Sequence, residues 1–411
     1  MTSENMIFHV VDDNPDDAAL IATLLRDRGY FVTIDNSGAE ALSRTFGKVP
    51  DCVIIDLMMP GVDGLEVCRR MRARRSFEGT KIIIVSGKPY DYDRKRAMEF
   101  GADGFIPKPI QHSGFINHVE RIMSDMIEMD FWGVRGTLPV PGKRALRYGG
   151  NTACVSLEFP KGQFFIFDAG TGIKQLADSL KAQDRLSRLQ AKIFISHPHW
   201  DHINALPFFT PLYIGGNEFE ILGASHGDVS MRQLISSQMD GVYFPINIKE
   251  FASRVYFHDI SEEAIIVDGI SVRSKLLSHP GKCLGYRVDY NGRIICYITD
   301  NELYPASSKF HNTYYRSRLA EFVSGADALI MDTCYSDEEY AAKIGWGHSS
   351  VSEVAHFAAD AKVKNLYLFH HDPDQSDEDI DAKLAKAREI LAEAGGKTLC
   401  YAPAEGDTVM I

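Results

Sequence analysis

The chain has 411 residues, 45% of them apolar, with 44 basic and 56 acidic side chains giving a formal net charge of −12. That length exceeds one ordinary core and predicts two or three domains, while the acidic balance disfavours a large polyanion held on a basic face. Seven scattered cysteines without a CxxC pair, no long apolar run and no signal-like N-terminus lead us to expect a cytoplasmic protein with no membrane span.

Residues 6–126 alternate short apolar runs with helical patterns five times. IFHVV precedes DDAALIATLLRDRG, FVTID precedes GAEALSRTFG, and CVIID precedes DGLEVCRRMRARR; KIIIVSG and GFIPK then lead their own helical stretches. Strands this apolar are buried on both faces, so the pattern predicts a parallel sheet covered by helices on both sides. The basic run CRRMRARR (68–75) reads as the solvated face of a helix. Ligands of such sheets bind at the carboxyl ends of strands. There the sequence puts Asp12 and Asp13 after the first run, Asp56 after the third, Ser86 after the fourth and Lys108 after the fifth. Clustered carboxylates repel unless a hard cation lies between them, and Mg²⁺ is the usual occupant. A carboxylate facing that ion can attack a phosphoryl group, whose oxygens a hydroxyl and an ammonium then hold. Taken singly, Asp13 reads as a helix cap and Lys108 as a surface charge.

VVDDN, VIIDLMMPGVDG, IIIVSGK and FIPKP together resemble the receiver domain of two-component response regulators. The resemblance implies that Asp56 is the phosphoacceptor, and that Asp12, Asp13, Asp56 and the Met58 carbonyl hold Mg²⁺. It assigns Ser86 and Lys108 to sensing the phosphoryl group and Phe105 to the switch aromatic. A sensor histidine kinase or phosphotransfer protein is the implied partner, and the receiver face built from the fourth and fifth helices offers a route to a homodimer. The receiver is expected over 1–127 and a second domain over 128–411. At MIEMDFWGVRG a helical pattern ends near 125–129 and a strand begins without a Gly/Ser linker, so the connection is expected to be short and stiff.

From about residue 130 short strands and turns take over: LRYGGNTACVSLEF, GQFFIFDAGTGI and QAKIFISHPHWDHI, with helices expected from about 172 and 203. In SHPHWDHI, His197 and His199 are two apart on an extended segment and face one side, away from Pro198 and Trp200. Asp201 and His202 follow at a helix start, aimed at a neighbouring point. Four donors on this spacing build two adjacent sites, and imidazole with carboxylate suits Zn²⁺, with Fe²⁺ or Mn²⁺ as alternatives. Further donors stand at strand ends or turns: His279, Asp300, His370, and His348 in the glycine-lined GWGHSS. His226, His258, His311 and His356 read as surface or capping residues.

SHPHWDH is similar to the HxHxDH signature of the metallo-β-lactamase fold, and the order of later motifs across 129–405 resembles its tRNase Z and cyclic-nucleotide phosphodiesterase branch. The fold class expected is therefore α/β, a doubly wound (βα)5 receiver followed by an αββα sandwich. The resemblance implies one metal on His197, His199 and His279, the other on Asp201, His202 and His370, and Asp300 bridging both. Asp201, Asp300 and His348 are the implied catalytic residues, with His348 neutralising or protonating the leaving oxygen. Asp332 stands where the branch often has Glu, and a helix-start acid is the alternative. Asp168 and Asn151 are expected to shape the loops beneath the metals. No Gly/Pro- and Lys-rich arm for gripping transfer RNA is present and no helix-turn-helix remains to read DNA, so a small phosphodiester or short oligonucleotide is the expected substrate. A lactonase, thioesterase or β-lactamase, or a phosphorylation-driven docking protein, are the rivals. The stretch 230–246 reads either as a lid or as a helix and strand packed on the core.

Overall fold

The computed structural model describes residues 6–87, 91–110, 112–242 and 244–411. Two compact units emerge: residues 1–127 with 158–163, and residues 128–157 with 164–411.

The first unit runs β1 (Ile7–Val11), α1 (Pro15–Asp27), β2 (Phe31–Asp35), α2 (Gly38–Ser43), β3 (Cys52–Asp56), α3 (Gly64–Arg72), β4 (Lys81–Ser86), α4 (Asp91–Glu99), β5 (Gly104–Pro107) and α5 (His112–Ser124). All strand pairs are parallel in the order β2-β1-β3-β4-β5, the doubly wound arrangement expected from the alternating pattern. Strand alternation explains why these runs are apolar throughout. Val53, Ile55, Ile82 and Ile84 enter one core with α3, whereas Ile54, Ile83 and Val85 enter the opposite core with α1 and α5. Helix starts are marked by side-chain caps: Ser37 accepts from the Glu40 amide and Asp63 from the Glu66 amide. For α1 the cap is Asn14, which accepts from the Asp16 amide, so Asp13 is left free of that duty.

The second unit begins three residues after α5. It comprises β6 (Glu128–Gly133), β7 (Cys154–Glu158), β8 (Phe164–Phe167), α6 (Gly172–Ala182), β9 (Gln190–Phe194), α7 (Trp200–Ile203), β10 (Glu218–Ala224), α8 (Met231–Gln238), β11 (Arg254–Ile260), β12 (Ala264–Val267), β13 (Ile270–Leu276), β14 (Leu284–Tyr290) and β15 (Arg293–Ile298). There follow α9 (Thr313–Val323), β16 (Ala328–Asp332), α10 (Asp337–Tyr340), α11 (Val351–Asp360), β17 (Asn365–Phe369), α12 (Asp377–Glu393), β18 (Leu399–Tyr401) and β19 (Thr408–Met410). One seven-stranded sheet has the order β11-β10-β9-β8-β7-β6-β19 and the other β12-β13-β14-β15-β16-β17-β18.

Each sheet buries one face under helices. Ile173 and Leu176 of α6 and Met231 and Ile235 of α8 pack with Ile166, Ile193 and Ile221 on the first sheet. Leu319 of α9, Phe357 of α11 and Ile390 of α12 pack with Ile298, Met331 and Leu368 on the second. Alternate residues of the same strands are aromatic and meet between the sheets. Phe167 lies 5.2 Å from Phe194 and 5.3 Å from Tyr297, Phe194 lies 5.3 Å from Tyr286, and Phe131 lies 5.6 Å from Tyr367. The layering is helix, sheet, sheet, helix.

Two expectations change. Helix α7 starts at Trp200 rather than near 203, so Asp201 and His202 sit in its first turn. In the 230–246 stretch a Ser230–Gln233 capping box opens α8, whose Met231 and Ile235 are buried; the rest of the described stretch holds no strand, and residue 243 lies outside the described residues. Helix α8 is packed on the core through Met231 and Ile235. No helix among the described residues is long and apolar enough to cross a membrane.

Because Phe194 is fully buried against Phe165, Phe167 and Tyr286, Phe194→Ala is expected to lower the unfolding free energy by about 3–5 kcal/mol. The shift of the urea midpoint measures it, and an unchanged midpoint would contradict the inter-sheet packing.

Candidate functional site

The ends of β9, β13, β15 and β17 bring the donors of the second unit together. After β9 the chain stays extended through His199 (φ −63°, ψ 150°) and then turns into α7, which turns Asp201 and His202 inward. Asp300 follows β15 and His370 follows β17, both in the left-handed region at φ +33° and +62°. That conformation costs a non-glycine residue of order 1–3 kcal/mol and persists only where the surroundings enforce it.

Two donor groups share Asp300, each with its ligand atoms within 4.8 Å of one another. The first holds His197, His199, His279 and Asp300, and the second Asp201, His202, Asp300 and His370. Asp300 belongs to both. Its Oδ2 lies 3.4 Å from His197 Nε2 and 3.7 Å from His279 Nε2, while its Oδ1 lies 3.1 Å from His202 Nε2 and 3.0 Å from His370 Nε2. Asp201 Oδ2 faces the second group at 3.2 Å from His202 and 3.1 Å from His370. The members of the second group are all buried and the His279 side chain is only 3% exposed, whereas His199 is exposed, so solvent reaches the centre beside His199.

Hydrogen bonds on the outer nitrogens fix which ring atom looks inward. A backbone carbonyl can only accept, so His279 donates from Nδ1 to Gly347 O (2.9 Å) and leaves its Nε2 lone pair facing the cluster. His202 Nδ1 likewise meets Asp168 Oδ2 at 2.8 Å. Asp168 also accepts from the Ser196 amide and hydroxyl and from Tyr297 OH. It thus holds the motif strand and His202 together, the loop-shaping part expected of it; Asn151 instead pairs with Glu405. Burial pushes Asp300 toward the neutral acid, yet the rings of His370, His202 and His197 outweigh it and hold the carboxyl well below the ordinary range. That direction requires positive charge among the rings, as protons or as cations. Inward lone pairs and two buried carboxylates, one of them shared, fit a pair of divalent cations.

His348 lies alongside. Its ring stacks on His370 with centroids 5.0 Å apart and stands 5.2 Å from His279. Its Nδ1 meets Asp332 Oδ2 at 2.8 Å. Asp332 is fully buried and also accepts from the amides of Asn301 and Cys334, so it orients His348 rather than opening a helix. Sequence reasoning missed Glu302. This buried acid accepts from Gly345 N and Gly347 N at 2.8 Å each and from Tyr340 OH at 2.9 Å, holding the loop that supplies His348 and the carbonyl for His279. Gly347 needs its identity there, since φ is +90° and a Cβ would stand 2.4 Å from His279 Nδ1. An acid two residues after a strand-end ligand was the available signal. His226, His258, His311 and His356 remain outside both groups; His258 pairs with Glu220 and His356 bonds its own helix.

In the first unit, oxygens of Asp12, Asp13 and Asp56 lie within 4.8 Å of one another at the carboxyl edge of the sheet. Lys108 Nζ bridges Asp12 at 2.8 Å and Asp56 at 2.7 Å, with Asp17 as a third partner at 2.7 Å. Burial pushes the Lys108 ammonium toward neutrality, and these three carboxylates outweigh that and raise it. The Met58 amide donates to Asp56 Oδ2 at 2.6 Å. Ser86 is buried at the end of β4, and Phe105 on β5 is turned inward at 7% exposure.

The profile of the β-lactamase superfamily domain matches residues 164–371, half of the chain. The chain belongs to the β-lactamase superfamily. Residues 8–120 match the response regulator receiver domain, so this member of the superfamily carries a receiver at its N-terminal side. The response regulator ArlR of Staphylococcus epidermidis is 30% identical over 129 residues, covering 31% of this chain and 58% of the relative. The DNA-binding response regulator MtrA of Mycolicibacterium smegmatis is 28% identical over 200 residues, covering 45% of this chain and 86% of the relative. The chain thus spans little more than half the length of ArlR. Among solved structures, the metallo-β-lactamase fold protein YhfI from Bacillus subtilis covers 70% of this chain and 100% of its own, at 15% identity and a TM-score of 0.50. That likeness speaks for the fold. The fold implies divalent metals, and the receiver implies Mg²⁺ and a kinase or phosphotransfer partner.

Burial disfavours a charged His348, but the Asp332 carboxylate outweighs it and lifts the ring to about 9 from an ordinary 6.5. A raised folded-state value means stability that is complete below about 6.5 and lost as pH rises through about 9. In protein free of divalent cations, Asp332→Asn is expected to drop the His348 titration midpoint, followed by NMR of the ring proton, and to flatten that loss. An unmoved midpoint would assign the shift elsewhere.

Proposed function

We propose that this protein is a response regulator whose output is a dinuclear metal hydrolase acting on a phosphodiester, with Zn²⁺ as the first candidate for both sites and Mn²⁺ or Fe²⁺ as alternatives. One observation carries the reading: Asp300 directs one carboxylate oxygen to each donor group. A shared carboxylate is what a pair of cations about 3.5–4 Å apart needs. His197, His199 and His279 would hold one ion, Asp201, His202 and His370 the other, and Asp300 both.

The chemistry such a pair supplies when bound is Lewis acidity toward water and toward phosphoryl oxygens. The chain's own residues do the rest. Asp168 and the Gly347 carbonyl keep the imidazoles in the ligating tautomer, so no reorganisation is needed when substrate arrives. Entry past the exposed His199 would bring the phosphate to the first donor group before the second. His348 is anchored through Nδ1 on Asp332, whose carboxylate favours the protonated ring, and would offer Nε2–H to the departing alkoxide. Asp332 keeps that proton available and positions the ring. The −12 charge and the missing RNA-gripping arm favour a small, cyclic or linear phosphodiester over structured RNA.

For the receiver, the proposal takes Asp56 as phosphoacceptor, Asp12 and Asp13 with Asp56 and the Met58 carbonyl as the Mg²⁺ site, Ser86 and Lys108 as partners of the phosphoryl oxygens, and Phe105 as the switch. A sensor kinase would supply the phosphoryl group, and the hydrolase takes the place of a DNA-binding effector.

Asp300→Ala is expected to purify folded with most bound metal and most turnover of bis(p-nitrophenyl) phosphate gone; full activity would end the assignment. His348→Phe should keep its metal and lose about 10²–10⁴-fold in kcat. Treatment with a beryllofluoride mimic should change turnover in the parent but not in Asp56→Asn. Identical rates and identical oligomeric state with and without the mimic would remove the regulatory half of the proposal.

A further inference from the structure

His370 differs from the other buried imidazoles in how it is held. His202 is anchored through Nδ1 on Asp168, His279 through Nδ1 on the Gly347 carbonyl, and His197 has Ser196 Oγ 3.1 Å from its Nδ1. Nδ1 of His370 has no hydrogen-bond partner among the described residues, although the residue is fully buried. Its backbone sits at φ +62°, so local preference does not fix it either.

Shape holds the ring instead. A Cβ at Gly136 would fall 2.3 Å from both Nδ1 and Cε1 of His370 and 2.8 Å from Nε2, which means the imidazole lies directly on the glycine. The His348 ring stacks on it as well, with planes 17° apart. Residues 134–137 are themselves pinned. Gly136 N donates to His371 O at 2.9 Å and His371 N to Val134 O at 3.0 Å. The fully buried Arg135 donates to Gln375 O at 2.7 Å and Gly149 O at 3.0 Å. The next residue, Thr137, adopts φ +64° and donates its amide to Asp201 Oδ2 at 2.7 Å. One turn therefore touches two of the three donors that belong to the second group alone.

We propose that residues 134–137 are the positioning element of the second cation site, with Gly136 a steric stop that, together with the stacked His348, aims His370, and with the Thr137 amide orienting Asp201. The inference rests on the dinuclear reading above. The first group hangs on other anchors, so a defect in this turn should discriminate between the two cations.

The test uses the full chain with Gly136→Ala. Zinc content after saturation and dialysis should be one ion per chain lower in the variant than in the parent, and a chelator-competition titration with Zn²⁺ should show the affinity of one of the two sites of the second unit kept and the other weakened about 10- to 100-fold. In metal-stripped protein, the histidine-ring NMR signal of His370 should move in Gly136→Ala while that of His279 stays. Two cations at parental affinity with an unmoved His370 signal would overturn the proposal. A parent that binds no pair would refute the dinuclear reading, and the metal-free NMR comparison would still judge the steric stop. Should Gly136→Ala fail to fold, His348→Ala and His348→Phe decide: the second cation lost with Ala and kept with Phe supports the packing account, and both cations kept with Ala overturns it.

Discussion

A buried carboxylate shared between two sets of imidazoles is the constraint around which the second unit is organised. Asp300 is 2% exposed, and Asp201 is buried beside it. Two negative charges withdrawn from water cost several kcal/mol each unless positive charge accompanies them. The inward nitrogens of five histidines surround them, and three of those rings belong to fully buried residues. An arrangement so costly in isolation makes sense as the shell of something positive. The aromatic layer between the sheets supplies the rigidity that keeps these strand ends in register.

Around that shell a second ring of interactions sets orientation. Asp168, Asp332 and Glu302 are all buried acids, and each spends its oxygens on several donors at once. Asp168 ties the motif strand to His202, Asp332 ties His348 to the segment after Asp300, and Glu302 ties that same segment to the glycine loop. Asp300, Asn301 and Glu302 thus touch both donor groups, the acid behind His348 and the glycine loop within three consecutive residues. Small displacements of this segment would be felt at both donor groups, because packed interiors transmit strain.

Much of this was legible in the sequence where the signal is local. Apolar runs buried on both faces disclosed the parallel sheet, and the two-residue spacing of His197 and His199 disclosed a shared target. Strand-end placement singled out Asp300 and His370 among the histidines and acids. What stayed hidden depends on tertiary contacts with no periodicity. The partnership of Asp332 with His348, the grip of Glu302 on Gly345 and Gly347, and the seat of His370 on Gly136 join segments whose meeting only packing decides. The 230–246 stretch was ambiguous for the same reason: amphipathic spacing reveals a buried face but not which surface covers it.

The receiver edge follows the same electrostatic logic with fewer parts. Lys108 lies among three carboxylates, an ammonium holding together acids that a phosphoryl group and a hard cation would otherwise reorganise. The account stands or falls on the shared acid of the metal unit. Electron paramagnetic resonance of the Mn²⁺-loaded protein tests it most directly. An exchange-coupled signal from two Mn²⁺ ions per chain, beside one isolated ion at the receiver acids, is the expected result, and isolated mononuclear signals alone at full loading would contradict it.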